Sequence, residues 1–136
     1  MRKLVAALLF CTAFAAVSPA SAHHSFVVTY VPDKIISVTG VVSEFRFSNP
    51  HGIVRFTVKS PEGLEAEWRA ETNSPNVLRR RGWKPNSIKV GDTITVTGWP
   101  ARDGSNLIRV NKIILPSGQE LMGQAPSPEA GSAGAK

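Results

Sequence analysis

This 136-residue chain has three histidines, and two of them, His23 and His24, directly follow the small-residue run Ala20-Ser21-Ala22. A signal peptidase cutting after Ala22 would make His23 the new amino terminus. A free α-amine beside an imidazole is a chelate in waiting. Its ordinary pKa is about 7.7–8.0, so a metal displaces the proton near neutral pH at small cost. His23 could bind Cu(II) through its own amine and ring, with a second imidazole completing a brace. Alternatively, His24 could chelate through the amine, the intervening amide nitrogen and its ring. Both modes offer nitrogen in tetragonal geometry, which suits Cu(II) or Ni(II), and the affinity order favours copper. His51, in a turn-forming stretch, is the third candidate ligand. Zinc is the alternative metal, and would recruit an acid such as Asp33 or Asp103 to complete four ligands.

The competing reading makes His23 and His24 a polar, frayed start and His51 a turn residue packed on Pro50. Haem is not indicated, because the chain has no Cys-x-x-Cys-His motif. Met122 is the one thioether outside the leader, too few for a methionine-rich Cu(I) carrier. No catalytic set emerges. Ser25 beside two histidines does not make a triad, since sequence neighbours rarely adopt that geometry. An oxidative enzyme built on a copper brace stands as a third class, with no residue specifying a substrate.

Residues 1–22 read as a secretory signal: Arg2 and Lys3, then an apolar stretch Leu4 to Val17 too short to span a bilayer, then the cleavage site. The expected location is periplasmic or secreted, with no membrane span after cleavage. Cys11 falls in the signal, so the processed chain is expected to have no disulfide and no thiolate site. The formal charge of +6 loses the two positive charges of Arg2 and Lys3, leaving a mildly basic domain. That favours an anionic small molecule, a glycan or an envelope protein as partner, and makes nucleic acid a poor one. Residues 123–136, rich in Gly, Ala, Pro and Ser, are expected to form a disordered tail.

Residues 23–122 must then position the histidines. Ile35 to Phe47, Ile53 to Lys59 and Leu64 to Glu71 alternate as strands, with Gly40 marking a bend or bulge in the first. Ser74-Pro75 opens a short helix, with Ser74 as N-cap, Val77 and Leu78 buried, and Gly82 as its stop. Thr93 to Trp99 and Asn106 to Leu115 are two further strands. Three strands, one helix and two strands predict an all-β fold: a small five-stranded OB-like barrel with its helix between strands 3 and 4. An SH3-like barrel or half-sandwich also fits short, regularly spaced strands. In an OB-fold the loop after strand 1 and the loop between strands 4 and 5 rim the binding face. Here those loops carry Asn49 and His51, and Arg102 and Asp103, with Trp99 beside them.

Other constellations read mainly as structure. Arg79-Arg80-Arg81 could hold a phosphate, but a like-charge run is usually a solvated face. Trp68 sits on the apolar parity of its strand and belongs to the core, while Trp83 and Trp99 flank loops and are expected to stay open. Asp103-Gly104 is first a tight turn, and only secondarily a lining of the face beside His51.

The His-His-Ser-Phe start, Asn49-Pro50-His51, Ser74-Pro75-Asn76, Arg81-Gly82-Trp83, Val90-Gly91-Asp92 and Ala101-Arg102-Asp103-Gly104-Ser105 together resemble an uncharacterised exported bacterial family, domain of unknown function 6152. The resemblance implies export and a single small domain. It implies no activity and no ligand.

Overall fold

The computed structural model describes residues 22–123, with side chains from Phe26 onward. The expected signal and the tail beyond Gly123 lie outside the described residues. The elements are α1 (Ala22–Thr29), β1 (Ile36–Arg46), β2 (Ile53–Lys59), β3 (Glu65–Glu71), α2 (Pro75–Arg80), β4 (Thr93–Pro100), β5 (Leu107–Ile114) and β6 (Glu120–Met122). The strands pair in the order β3-β2-β1-β4-β5-β6, and a parallel β3–β5 pairing closes the first five into an OB-like barrel. No helix among the described residues is long and apolar enough to cross a membrane.

β1 serves both halves of the barrel. Its first part, Ile36 to Val41, pairs with β4, and its second part, Val41 to Arg46, pairs with β2. The irregularity lies between Val42 and Glu44, not at Gly40. Gly40 has a different task. A Cβ there would stand 2.5 Å from the Thr57 carbonyl oxygen and 2.8 Å from the Phe56 ring, so the strands can cross this closely only without a side chain.

Inward residues alternate along β2 and β3, so Val54 faces Ala70 and Phe56 faces Trp68. β5 is apolar on both parities because Asn111 is skipped where Thr97/Gly98 shifts register. That shift puts Ile108, Val110 and Ile113 all in the core. α2 plugs one end with Pro75 and Leu78, and Gly82 ends it at a φ of +84°. The Ser74 hydroxyl makes no cap hydrogen bond; Pro75 at the first position removes one amide that would have needed one.

Trp83 corrects the expectation of an open contact residue. It is 1% exposed and its Nε1 donates to the Met122 carbonyl at 2.9 Å. A buried indole needs such a partner, and the short strand β6 brings it. Arg81 Nη1 and Asn73 Nδ2 both donate to the Gly123 carbonyl, and Gly123 N donates to Asn111 O at 2.7 Å. The packed domain therefore reaches Gly123. In the arginine run, Arg79 and Arg80 are exposed, with the Arg79 guanidinium 5.2 Å above the Phe47 ring, while Arg81 turns inward to this strap.

The β1–β2 loop is locked to the end of β3. Gly52 N donates to Asn73 O, and Gly52 O accepts from both the amide and the hydroxyl of Thr72, each at 2.9 Å. A Cβ on Gly52 would lie 2.5 Å from Thr72 Oγ1 and 3.3 Å from Leu78 Cδ1. Gly52→Ala is therefore expected to destabilise the domain by about 1–3 kcal/mol, the usual cost of overpacking. A urea melt checks this; an unchanged midpoint would show that the loop yields freely.

Candidate functional site

The outer face of β2 and β3 is a charge ladder. Lys59, Thr57, Arg55 and Ile53 stand opposite Glu65, Glu67, Arg69 and Glu71. Lys59–Glu65 at 3.1 Å, Arg55–Glu67 at 2.7 Å and Arg55–Glu44 at 3.0 Å are solvent-washed pairs. Each contributes roughly 0–1 kcal/mol, because water screens it.

Glu71, at the end of the ladder, is different because its surroundings are dry. Its side chain is 18% exposed and that of Arg109 is 11% exposed. The two residues stand opposite each other in the parallel β3–β5 pairing. Arg109 Nη1 donates to Glu71 Oε1 at 3.1 Å, and Nη2 donates to Asn73 Oδ1 at 2.7 Å. Asn73 is held in turn by its own bond to Gly123 O at 2.9 Å. Arg69 Nη2 lies 3.8 Å from the other carboxylate oxygen. Removing one partner of such a buried pair strands the other charge, which costs several kcal/mol.

Two segments far apart in sequence meet this carboxylate. From the β1–β2 loop, His51 brings its Nε2 to 3.7 Å from Glu71 Oε1, with the imidazole still half exposed. The Gly52–Thr72 lock puts it there, since His51 precedes Gly52 and Glu71 precedes Thr72. From the N-terminal segment comes Tyr30, which is 4% exposed. Its hydroxyl makes no hydrogen bond of ordinary geometry among the described residues, yet Glu71 is close enough to act on it. Burial first, and the Glu71 charge second, push its pKa up from the ordinary value, with Arg109 opposing.

Tyr30 is carried by α1, and α1 is docked on the loop between β4 and β5. The Phe26 ring meets Trp99 edge-on at 5.6 Å and Tyr30 at 5.4 Å. Val31 N donates to Pro100 O at 3.0 Å, and Tyr30 bridges to Ala101. Arg102 takes the last turn of the helix: its amide donates to Thr29 O, its Nε to Val27 O and its Nη2 to Tyr30 O. A guanidinium there satisfies carbonyls left open at a helix C-terminus and complements the helix dipole.

Of the expected site residues, His51 reaches the cluster directly. Trp99 and Arg102 reach it through α1, as its seat and its clasp rather than as open ligand contacts. Asn49 is exposed in the loop, ahead of a cis bond to Pro50. Asp103 turns back on its own loop, where Oδ1 accepts from the amide and hydroxyl of Ser105; these bonds, the hydroxyl's first, hold its carboxyl below the ordinary value. His23 and His24 belong to the first turn of α1 by backbone, and their side chains lie outside what the structure describes. Among the described residues, no group of three His, Cys, Asp or Glu side chains could hold a metal ion. An open apolar groove lined by Val41, Thr57 and Val90 lies toward the Lys59–Glu65 end, away from this cluster.

Glu71, Arg109 and Tyr30 were not among the expected site residues. Glu71 reads as one more wet acid in an alternating strand. Arg109, between Ile108 and Val110, is the one signal available: a charge inside an apolar run must find a partner.

The chain matches the family of unknown function DUF6152 over residues 11–108, and it belongs to that family. No curated protein matches it. Among solved structures it is similar to the mitochondrial single-stranded DNA binding protein of S. cerevisiae, with 13% identity and a TM-score of 0.47, over 61% of this chain and 93% of that one. This likeness corrects the expectation that set nucleic acid aside. That expectation used charge summed over the chain, whereas single-strand binding depends on local charge and stacking faces, so the sum does not exclude it. At this score the likeness assigns no nucleic acid to the chain, and none is shown for the family.

Two outcomes follow. Arg102→Ala removes side-chain bonds worth about 1.4 kcal/mol, so amide exchange at Tyr30 and Val31 should accelerate about tenfold. Exchange in β2 should not change; equal protection at Tyr30 and Val31 would show that α1 does not depend on this clasp. Tyr30 is the sole tyrosine, so phenolate absorbance reports it alone. Because its folded pKa is raised, it stabilises the fold fully below the ordinary value of about 10, and that contribution is lost as pH rises through the folded value. The phenolate should emerge above pH 10 together with unfolding; ionisation near 10 in the intact fold would contradict the placement.

Proposed function

We propose that the chain is exported, cleaved after Ala22, and binds one divalent metal ion, Cu(II) before zinc, through the His23 amine and imidazole with His24 and His51. The periplasm or the exterior is the compartment where such an end would exist, and storage, delivery or sequestration is the role it suits. The supporting observation is the shared carboxylate. Glu71 is met by His51 from the β1–β2 loop and by Tyr30 from the segment that carries the two N-terminal histidines. α1 is seated on the barrel by Phe26, and His23 precedes Phe26 by one helical turn.

A metal-free module for an anionic small molecule, glycan or protein is the second reading, with Asn49, Trp99, Arg102 and Asp103 as its face. Arg102 is engaged by the carbonyls of Val27 and Tyr30 and Asp103 by Ser105, which leaves that face fewer polar groups for a ligand.

The test is electron paramagnetic resonance and Cu(II) titration on protein whose first residue is His23. One copper per chain with nitrogen superhyperfine coupling is expected. Acetylation of the His23 amine, or His51→Ala, should weaken binding by about a hundredfold and tenfold respectively, since each removes a nitrogen donor. Absence of nitrogen coupling, or equal affinity in all three proteins, would overturn the proposal.

A further inference from the structure

We propose that the stretch running from α2 to the start of β4 is a docking strip for an anionic lipid bilayer. It does not depend on the metal reading.

The distribution of charge is the first ground. Between Glu71 and Asp92 the chain holds five cations and no acid. Arg81 is turned inward to the Gly123 carbonyl. Arg79, Arg80, Lys84 and Lys89 are exposed, and none of the four is ion-paired among the described residues. By contrast, Glu44, Glu65, Glu67, Glu71 and Glu120 each have a cation against them. Unmatched positive charge therefore gathers on this strip.

Packing is the second ground. Leu78, Trp83 and Ile88 recur five residues apart and are all buried, and each is followed directly by an exposed cation: Arg79, Lys84 and Lys89. The strip is fixed along β1. The Arg79 guanidinium lies 5.2 Å above the Phe47 ring, the Trp83 ring lies 6.3 Å from that of Phe45, and Gly91 N donates to Val42 O at 2.8 Å. The anchors hold the backbone, so the cations are displayed from a fixed edge.

The third ground is apolar. Val90, directly after Lys89, is 71% exposed and Val41 is 46% exposed. Both line the open groove at this end, whose charged residues, Lys59 and Glu65, neutralise each other at 3.1 Å. Cations beside exposed aliphatic side chains suit the boundary between headgroups and acyl chains. A small anion would need converging donors, and these are spread from residue 79 to residue 89. A single-stranded nucleic acid would need open stacking faces. Here Trp83 is buried and the Phe47 ring already carries Arg79.

The experiment sediments the chain beginning at His23 with vesicles of phosphatidylglycerol and phosphatidylcholine, and with vesicles of phosphatidylcholine alone. Wild type should bind the charged vesicles, should not bind the neutral ones, and should be released by added salt. Arg80→Gln and Lys84→Gln, both at exposed positions, should each weaken partition about fivefold, and the double variant about twenty-five-fold. Val90→Ser should weaken binding while leaving its salt dependence unchanged, and circular dichroism should show all variants folded. No binding to charged vesicles, equal binding to neutral ones, or wild-type partition by the folded double variant would overturn the proposal. Tighter binding of oligo-dT than of the charged vesicles at equal phosphate would overturn it in favour of nucleic acid.

Discussion

The ion pair between Glu71 and Arg109 is the constraint on which the rest of this barrel's business end depends. It closes the sheet, because the two residues belong to the strands that meet in parallel. It is dry enough that neither charge can be left alone. Every neighbour is arranged around that requirement: Asn73 completes the guanidinium, the Gly123 carbonyl completes Asn73, and Arg69 shares the carboxylate. The C-terminal strap and the rim of the barrel are thus parts of one polar network, and such networks hold their members in a single arrangement when every group is satisfied.

The Tyr30 hydroxyl is buried beside this network, at the place where the N-terminal segment, the His51 loop and the end of β3 come together. Local structure explains how these segments get there. Gly52 lets the loop close onto Thr72 without a clash, and Arg102 clasps the last carbonyls of α1. Neither device contributes much energy alone. Their effect is positional, bringing chemistry from residue 30 and residue 51 to one carboxylate.

The barrel was legible in the sequence because its strands alternate cleanly and its one plug helix has a proline start and a glycine stop. What was not legible depended on tertiary contacts. α1 has no apolar stripe of helical period in Ala22–Thr29 and is held from outside, by Arg102 and Trp99. β6 is three residues long, and its reason to exist is Trp83, whose indole nitrogen needs the Met122 carbonyl. Trp83 looked open because it follows a glycine turn; the turn stays exposed, but the Trp83 ring is buried against the strap. Glu71 looked like its exposed neighbours because alternation tells which face a residue is on, not how deep that face lies. His51 was picked out by residue type and loop position, and its neighbour Glu71 by neither.

The processed amino terminus and the His51 loop are proposed to supply ligands to one ion at this rim. A crystal structure of the processed protein grown with Cu(II), with anomalous scattering collected at the copper edge, tests it most directly. The account predicts a single strong peak within bonding distance of the His23 amine and of the imidazole of His51. A peak bound by the terminus alone with His51 turned away, or no ordered copper in a crystal that resolves His23, would contradict it.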